Sequence, residues 1–217
     1  MHPFHERLAQ VGLAAADRYG FALAGGYAVQ AAGLLERPSE DVDLFTAWNR
    51  AGEFDTAVTA VVDAYRQDGL DAVIELQHAG AFARLRVVDP SGGSAKVEMG
   101  VDWRANEPVR MAIGPVLHPD DAVANKVCAL FGRALARDFI DVDAALASGR
   151  YSREDLLRLA HRADSGFEPR LFADALGAME QLSPTDFAAY GLTGQALDGL
   201  RARFEEWRSR LTGDTQN

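Results

Sequence analysis

The sequence predicts an α/β protein of the α+β type, with a mixed-sheet module first and an all-helical module second. Strand-like apolar runs alternate with helical runs only in the first half of the chain, at 21–24, 41–48, 71–77, 82–89 and 95–103. Every later periodic run has helical spacing. We therefore expect a sheet module over residues 1–115 and a helical module over 116–217 that packs against it.

The elements of the first module follow from local patterns. Apolar residues at helical spacing predict a helix over 5–19, and the run FALA predicts a short strand. The Gly-Gly pair at 25–26 predicts the start of a helix of about a dozen residues, which precedes the strand DVDLFTAW. An amphipathic helix is expected to end at Gly69, and three strands follow, the last two separated by the turn-forming PSGG.

In the second module only helices are expected. Apolar residues recur at helical spacing over 119–134, 136–147, 152–163, 168–182 and 194–211, without an internal repeat or a low-complexity linker. Trp207, within FEEWRSRL, is predicted to lie on the inner face of the terminal helix.

Composition limits the classes of function. A net charge of -10 argues against a surface that binds nucleic acid through bulk positive potential, so any such contact requires a local patch. The single cysteine, Cys128, cannot form an intramolecular disulfide. The polar start MHPFHERLAQ and the short apolar runs predict a cytoplasmic protein without membrane contact. Of 22 basic residues only Lys96 and Lys126 are lysines, which singles them out as possible phosphate ligands.

Two aspartates stand in the predicted strand DVDLFTAW. Asp41 and Asp43 project to one side of a strand, while Val42 and Leu44 face the core. Two adjacent carboxylates repel each other unless a cation compensates, and their hard oxygen atoms suit Mg²⁺ shared with substrate phosphates. Gly25 and Gly26, which lack a Cβ atom, would let the backbone approach such a phosphate.

The order of these elements resembles the AbiEii/AbiGii-type nucleotidyltransferase toxins, which include the mycobacterial MenT toxins. Their first motif combines Gly-Gly with R-x-S-x-D-hydrophobic-D. Here it reads GGYAVQAAGLLERPSEDVDLF, with Arg37, Ser39, Asp41 and Asp43 in the motif positions. The resemblance implies a nucleotidyltransferase fold, with Mg²⁺ on both aspartates and nucleotide contacts from Gly25, Gly26, Arg37 and Ser39. For Arg37 and Ser39, stabilisation of the turn before the strand is an equal alternative.

The resemblance extends into the helical half, so that it covers roughly residues 20–145. A helical lysine and an R-D-x-x-D element occur in DAVANKVCALFGRALARDFIDV, as Lys126, Arg137, Asp138 and Asp141. It implies that Lys126 neutralises the triphosphate and that Asp141 is the catalytic acid. Asp138 and Arg137 are secondary candidates.

A single straight helix cannot bring this second motif together. Fifteen residues of α-helix between Lys126 and Asp141 would span about 22 Å. We therefore predict two antiparallel helices with a turn near Gly132 and RALAR, which bring Lys126 and Asp141 to one point. Helical phase also places Arg133 on the flank of Lys126, where it would help to bind the triphosphate.

A third carboxylate is a secondary candidate for the metal. Glu98 lies in the strand AKVEMGVDW, on the same face as Lys96. An acid that alternates with apolar residues is also typical of the wet face of a strand. The five histidines show no spacing typical of metal ligands.

Together these features predict a Mg²⁺-dependent enzyme that transfers a nucleoside monophosphate from an NTP. The resemblance implies an RNA acceptor, with the 3′ end of tRNA preferred, and a toxin that a cognate antitoxin protein counteracts. Two alternatives stay open. One is modification of a small hydroxylated molecule such as an aminoglycoside, which the acidic first half would suit, and the other is a non-catalytic binding module that retains the fold.

Overall fold

Residues 1–35, 37 and 39–213 are described by the structure, a computed structural model. The chain divides into two units, Met1–Ala122 and Val123–Asn217. The division falls inside a helix, a few residues beyond the boundary expected from the sequence.

The first unit contains a seven-stranded mixed sheet. Its strands are β1 Ala22–Leu23, β2 Asp41–Ala47, β3 Asp71–His78, β4 Phe82–Val88, β5 Ser94–Asp102, β6 Val109–Met111 and β7 Gly114–Val116. Their order across the sheet is β3-β4-β5-β2-β1-β7-β6, with β2 parallel to β5 and antiparallel to β1. The predicted α/β class with a mixed sheet is confirmed. The strands β6 and β7 were not predicted, because three residues are too few to show alternation.

Helices α1 Pro3–Ala16 and α3 Phe54–Gln67 pack against each other and against the sheet. Tyr65 of α3 is fully buried and donates its hydroxyl to the carbonyl oxygen of Leu8 at 2.9 Å. A Cβ atom on Gly12 of α1 would lie 2.6 Å from the Tyr65 hydroxyl and 2.7 Å from Leu44 of β2. This close packing places the helices on the sheet face that carries Leu44.

The helix after the glycine pair is shorter than predicted. Helix α2 spans Gly25–Ala31, only seven residues. Gly33 adopts a left-handed φ of 71° and donates its N–H to Gln30, while Leu34 donates to Val29. A glycine in this conformation just after the last helical residue terminates a helix, so Gly33 ends α2 before the length expected from its apolar residues. The predicted end of α3 at Gly69 is confirmed, with a φ of 80°.

All elements of the second unit are helical in the part that the structure describes. After α4 Pro119–Arg133 these are α5 Ala136–Ala147, α6 Arg153–Ala163, α7 Pro169–Gly177, α8 Pro184–Ala188 and α9 Gly194–Gly213. The helix expected over 168–182 is α7 followed by a 3₁₀ turn over Ala178–Gln181. The short helix α8 was not predicted. Trp207 is 2% exposed and packs on Phe172 with ring centroids 5.2 Å apart, which confirms its inner position.

Across residues 1–35, 37 and 39–213, no helix has both the length and the apolar character that a membrane crossing requires.

Candidate active site

Strand β2 presents its two aspartates on the face opposite the helices. Val42 and Leu44 are 0% exposed, whereas Asp41 and Asp43 are partly exposed. The alternation predicted from the sequence is therefore present. It keeps both carboxylates out of the apolar core, where an unpaired charge would be costly.

Glu98 joins the two aspartates from the neighbouring strand. In the parallel pairing of β2 with β5, Asp43 is the partner of Glu98 and Asp41 is the partner of Lys96. One carboxylate oxygen from each of Asp41, Asp43 and Glu98 lies within 4.8 Å of the others. Three carboxylates this close favour a bound cation, and their hard oxygen atoms fit Mg²⁺ or a similar divalent ion. The secondary candidate Glu98 thus lies in the same cluster as the predicted pair.

Arg84 on β4 holds Glu98 from the other side. Its Nε and a terminal guanidinium nitrogen approach Oε1 of Glu98 at 2.9 and 2.8 Å. This contact orients Glu98 and partly neutralises it, so that the third carboxylate differs electrostatically from the aspartates. Sequence reasoning missed Arg84. Its position could have been inferred from the alternation in FARLRVVD, because β4 pairs with β5 as a hairpin and Arg84 then shares a sheet face with Glu98.

Gly25 and Gly26 each leave space for the side chain of another residue of the same motif. A Cβ atom on Gly25 would lie 1.7 Å from Oδ2 of Asp43, and Gly25 has a left-handed φ of 57°. A Cβ atom on Gly26 would lie 2.7 Å from Oγ of Ser39. The backbone of α2 can therefore approach the acidic strand only because both positions lack a side chain.

The segment between α2 and β2 supplies the remaining residues of the first motif. Ser39 is buried against Gly26. The backbone carbonyl of Arg37 accepts a hydrogen bond from the side-chain amide of Gln30. Glu36 and Pro38, which also belong to ERPSED, lie outside the described residues.

A histidine–tyrosine pair adjoins this strand and was not predicted. Nδ1 of His5 lies 2.6 Å from the hydroxyl of Tyr27. Burial lowers the pKa of His5, as does nearby His2, whereas Asp41 raises it. Burial also raises the pKa of Tyr27, with a smaller contribution from Asp41. The charge of Asp41 thus acts on both partners, and no local spacing could reveal a contact that spans 22 residues.

In the second unit, the predicted interruption between Lys126 and Asp141 is confirmed. Helix α4 ends at Arg133 and α5 begins at Ala136, with Ala134 at a left-handed φ of 47° between them. The break lies within RALAR, while Gly132 stays helical. The Nζ atom of Lys126 lies 2.9 Å from Oδ2 of Asp141, whose side chain is 0% exposed. The two residues therefore lie in contact, which a single straight helix between them would not allow.

The other candidates of this motif lie at the start of α5. Arg133 binds Asp138 through two contacts, from Nε to Oδ2 at 2.9 Å and from a terminal nitrogen to Oδ1 at 2.7 Å. Asp138 is fully buried and accepts the N–H of Leu135 at 3.1 Å, which caps the helix. Arg137 is partly exposed in the first turn. These contacts engage Arg133 and Asp138 within the helical unit. Their nucleotide-binding and catalytic roles stay predictions, as do those of the other motif residues.

Comparison with known proteins gives a consistent picture. A family model described as "Nucleotidyl transferase AbiEii toxin, Type IV TA system" matches residues 8–216. No curated protein sequence matches the chain.

Solved structures share the fold at low sequence identity. JHP933 from Helicobacter pylori is 19% identical, with a TM-score of 0.57 over 98% of this chain and 94% of that one. MenT4, a nucleotidyltransferase toxin of Mycobacterium tuberculosis H37Rv, is 19% identical, with a TM-score of 0.56 over 96% of this chain and 83% of that one. A nucleotidyltransferase-like protein from H. pylori is 17% identical, with a TM-score of 0.56 over 97% and 96% of the two chains. At these identities the similarity concerns the fold.

Proposed function

The chain belongs to the AbiEii family of nucleotidyl transferase toxins of type IV toxin–antitoxin systems, and from this premise we propose that it transfers a nucleoside monophosphate from an NTP to the 3′ end of an RNA. In this proposal tRNA is the preferred acceptor and Mg²⁺ is the cofactor. The family makes the chain a nucleotidyltransferase with a nucleotide substrate and an antitoxin partner. The observation that carries the proposal is the cluster of Asp41, Asp43 and Glu98, whose oxygen atoms lie within 4.8 Å of one another.

In the proposed reaction, a hydroxyl oxygen of the acceptor attacks the α-phosphorus of the NTP. The bond from the α-phosphorus to the bridging oxygen breaks, and pyrophosphate leaves. A bound Mg²⁺ would stabilise negative charge on the attacking and leaving oxygens. Asp41 and Asp43 would hold the ion, and Glu98 would supply a third oxygen whose position Arg84 fixes. The side-chain-free backbone at Gly25 and Gly26 would lie beside the phosphates.

The helical unit supplies the proposed counter-charge. We assign Lys126 to the triphosphate and Asp141 to the positioning of Lys126. The Lys126 side chain is 12% exposed, and its ammonium lies 2.9 Å from a carboxylate oxygen of Asp141, whose side chain is fully buried. This contact fixes the direction of the lysine side chain, and an ammonium has three donors, so a phosphate oxygen could be bound as well. That Lys126 faces the carboxylates of the first unit stays a prediction.

An RNA acceptor must be reconciled with the net charge of -10. Basic side chains accompany the acidic cluster on its own sheet face: Arg84 is paired with Glu98 in the antiparallel register, and Arg86 with Lys96. Arg84 and Arg86 are paired with Glu98 and Glu75, so of these three side chains Lys96 keeps its charge available for an RNA phosphate, which supports RNA contact without an overall basic surface. The cytoplasmic location expected from the sequence stays a prediction.

The proposal is tested by incubating the protein with each α-labelled NTP, Mg²⁺ and total RNA, and then with a panel of small acceptors. We expect label on RNA of tRNA length, and a loss of more than about 100-fold in Asp43→Ala and Lys126→Ala. Asp71→Ala, which removes an exposed aspartate from strand β3 of the same sheet, should retain activity. Label on an aminoglycoside alone would show that the acceptor is a small molecule and not RNA. Absence of both incorporation and NTP binding would refute the proposal.

A further inference from the structure

A cavity of about 550 Å³ lies within the first unit, beside the start of strands β2 and β5. This volume lies in the range typical of small-molecule sites. The residues that line it come from the chain start and α1, from α2, and from the two strand starts: Met1, His2, Phe4, His5, Tyr27, Gln30, Ser39, Gly93 and Ser94. None of these except Ser39 was predicted to contact a ligand.

The cavity adjoins the acidic cluster along both strands. Ser39 precedes Asp41 by two residues, and Ser94 precedes Lys96 by two residues. Two residues of extended chain span at most about 7 Å. Because Asp41 and Lys96 are register partners, the two serines mark the cavity end of the same strand pair that carries the metal-ligand candidates. A group bound beside these two serines would thus lie about two residues along the chain from Asp41 and Lys96.

The walls of the cavity combine flat rings with hydrogen-bonding groups. The ring of Phe4 lies so close to Gly93 that a Cβ atom there would be 3.3 Å from it. His2 and His5 pack edge to face, with ring centroids 5.6 Å apart, and His5 packs in the same way on Tyr27. Nucleobases are bound by stacking on such rings and by hydrogen bonds to their edges.

Lys96 stands between the cavity and the acidic cluster. It is exposed and alternates on the strand with Ser94 and Glu98, and its side chain makes no hydrogen bond or ion pair with the residues that the structure describes. An ammonium in this position can bind a phosphate oxygen without first breaking an existing contact.

We propose that this cavity binds the nucleobase of a nucleotide whose phosphate lies on Lys96 beside Asp41, which makes it a base-selecting subsite of the active site. The inference rests on the proposed nucleotidyl transfer. The base belongs either to the incoming NTP or to the 3′-terminal nucleotide of the acceptor RNA, and the experiment separates these two sources.

The test fills the cavity and leaves the motif residues in place. Ser94→Tyr adds a ring at the start of β5, inside the cavity. Ser91→Tyr adds the same ring at an exposed position of the preceding β4–β5 turn that does not itself line the cavity. Dissociation constants are measured by calorimetry for each of the four NTPs and for the oligoribonucleotide ACCA, in Ca²⁺ to suppress turnover. NMP incorporation is measured separately in Mg²⁺, and thermal melting checks the fold.

We expect Ser94→Tyr to weaken one class of ligand about ten-fold or more, and Ser91→Tyr to bind as the unchanged chain does. Weaker binding of the NTPs assigns the cavity to the incoming nucleotide, and weaker binding of ACCA assigns it to the acceptor. Phe4→Ala is the second variant, and it should weaken the same ligand while removing volume instead of adding it. If both folded variants bind all five ligands within two-fold of the unchanged chain, the subsite is refuted, and NMP incorporation by the unchanged chain then supports the proposed function independently. If the unchanged chain neither incorporates NMP nor binds any of the five, the proposed function fails as well.

Discussion

Replacing Gly25 with alanine separates its backbone conformation from its contact with Asp43. At a φ of 57°, a residue with a Cβ atom costs about 1–2 kcal/mol. The new Cβ atom would also lie 1.7 Å from Oδ2 of Asp43, whereas real Cβ atoms essentially never come within 3.0 Å of another heavy atom. The carboxylate would therefore have to retreat by about 1.3 Å.

This displacement sets the expected loss of activity. A misplacement of about 1 Å in an active site costs on the order of 100-fold in rate. We therefore expect kcat of Gly25→Ala to fall by about 100-fold or more, with a fall of a few degrees in Tm. The assay is incorporation of labelled NMP at saturating NTP, with the melting curve recorded on the same preparation.

Gly69→Ala is the matched control. Gly69 has a φ of 80°, and a Cβ atom added to it would meet nothing within 4 Å, so the variant carries the backbone strain without the clash. It should lose similar stability and keep its turnover. Unchanged turnover in a folded Gly25→Ala would refute the role given to the Asp43 position. Equal activity losses in both variants would show that stability, and not the contact with Asp43, limits the rate.

Three further predictions concern charged side chains. Arg84→Met removes the cation on Glu98, so the cluster should bind Mn²⁺ about five-fold more tightly by electron paramagnetic resonance; unchanged affinity would contradict the electrostatic link. Lys126→Met and Asp141→Asn each remove one partner of this largely buried ion pair and should each cost about 3–5 kcal/mol in denaturant unfolding, whereas the double variant should regain stability without activity. Hydrogen bonds from Ser152 lower the pKa of Asp155 to about 2, so its carboxylate stabilises the fold above its ordinary pKa of about 4, and the contribution disappears as the pH falls through about 2. Asp155→Asn should therefore be less stable than the unchanged chain at pH 7 and equally stable below pH 2, as measured by circular dichroism.

Sequence reasoning succeeded where a local rule of geometry decides the outcome. Strand alternation placed Asp41 and Asp43 on one face, and the rise of an α-helix required a break between Lys126 and Asp141. Both features depend only on residues close together in the chain. The AbiEii family, the mixed α/β fold and nucleotidyl transfer were also reached from two short motifs in the correct order.

Sequence reasoning failed where a contact joins distant segments or where a single residue overrides a pattern. Arg84 and the His5–Tyr27 pair depend on the register of strands and on the docking of α1, which one sequence does not display. Gly33 was counted inside the helix after the motif, because its apolar neighbours favour continuation. Its left-handed conformation instead ended α2.

The two lysines differ from several of the arginines in how their side chains are paired. Arginine in this chain makes forked pairs with carboxylates, as Arg133 does with Asp138 and Arg84 with Glu98. A forked pair commits several donors to one acid. Lys126 instead forms one ion pair, from its Nζ atom to Oδ2 of Asp141 at 2.9 Å, and the side chain of Lys96 forms no hydrogen bond or ion pair with the described residues. An ammonium held in this way keeps donors available for a phosphate. In a chain with 22 basic residues and only two lysines, we expect both lysines at the candidate groups if each binds a phosphate, whereas composition alone is the alternative.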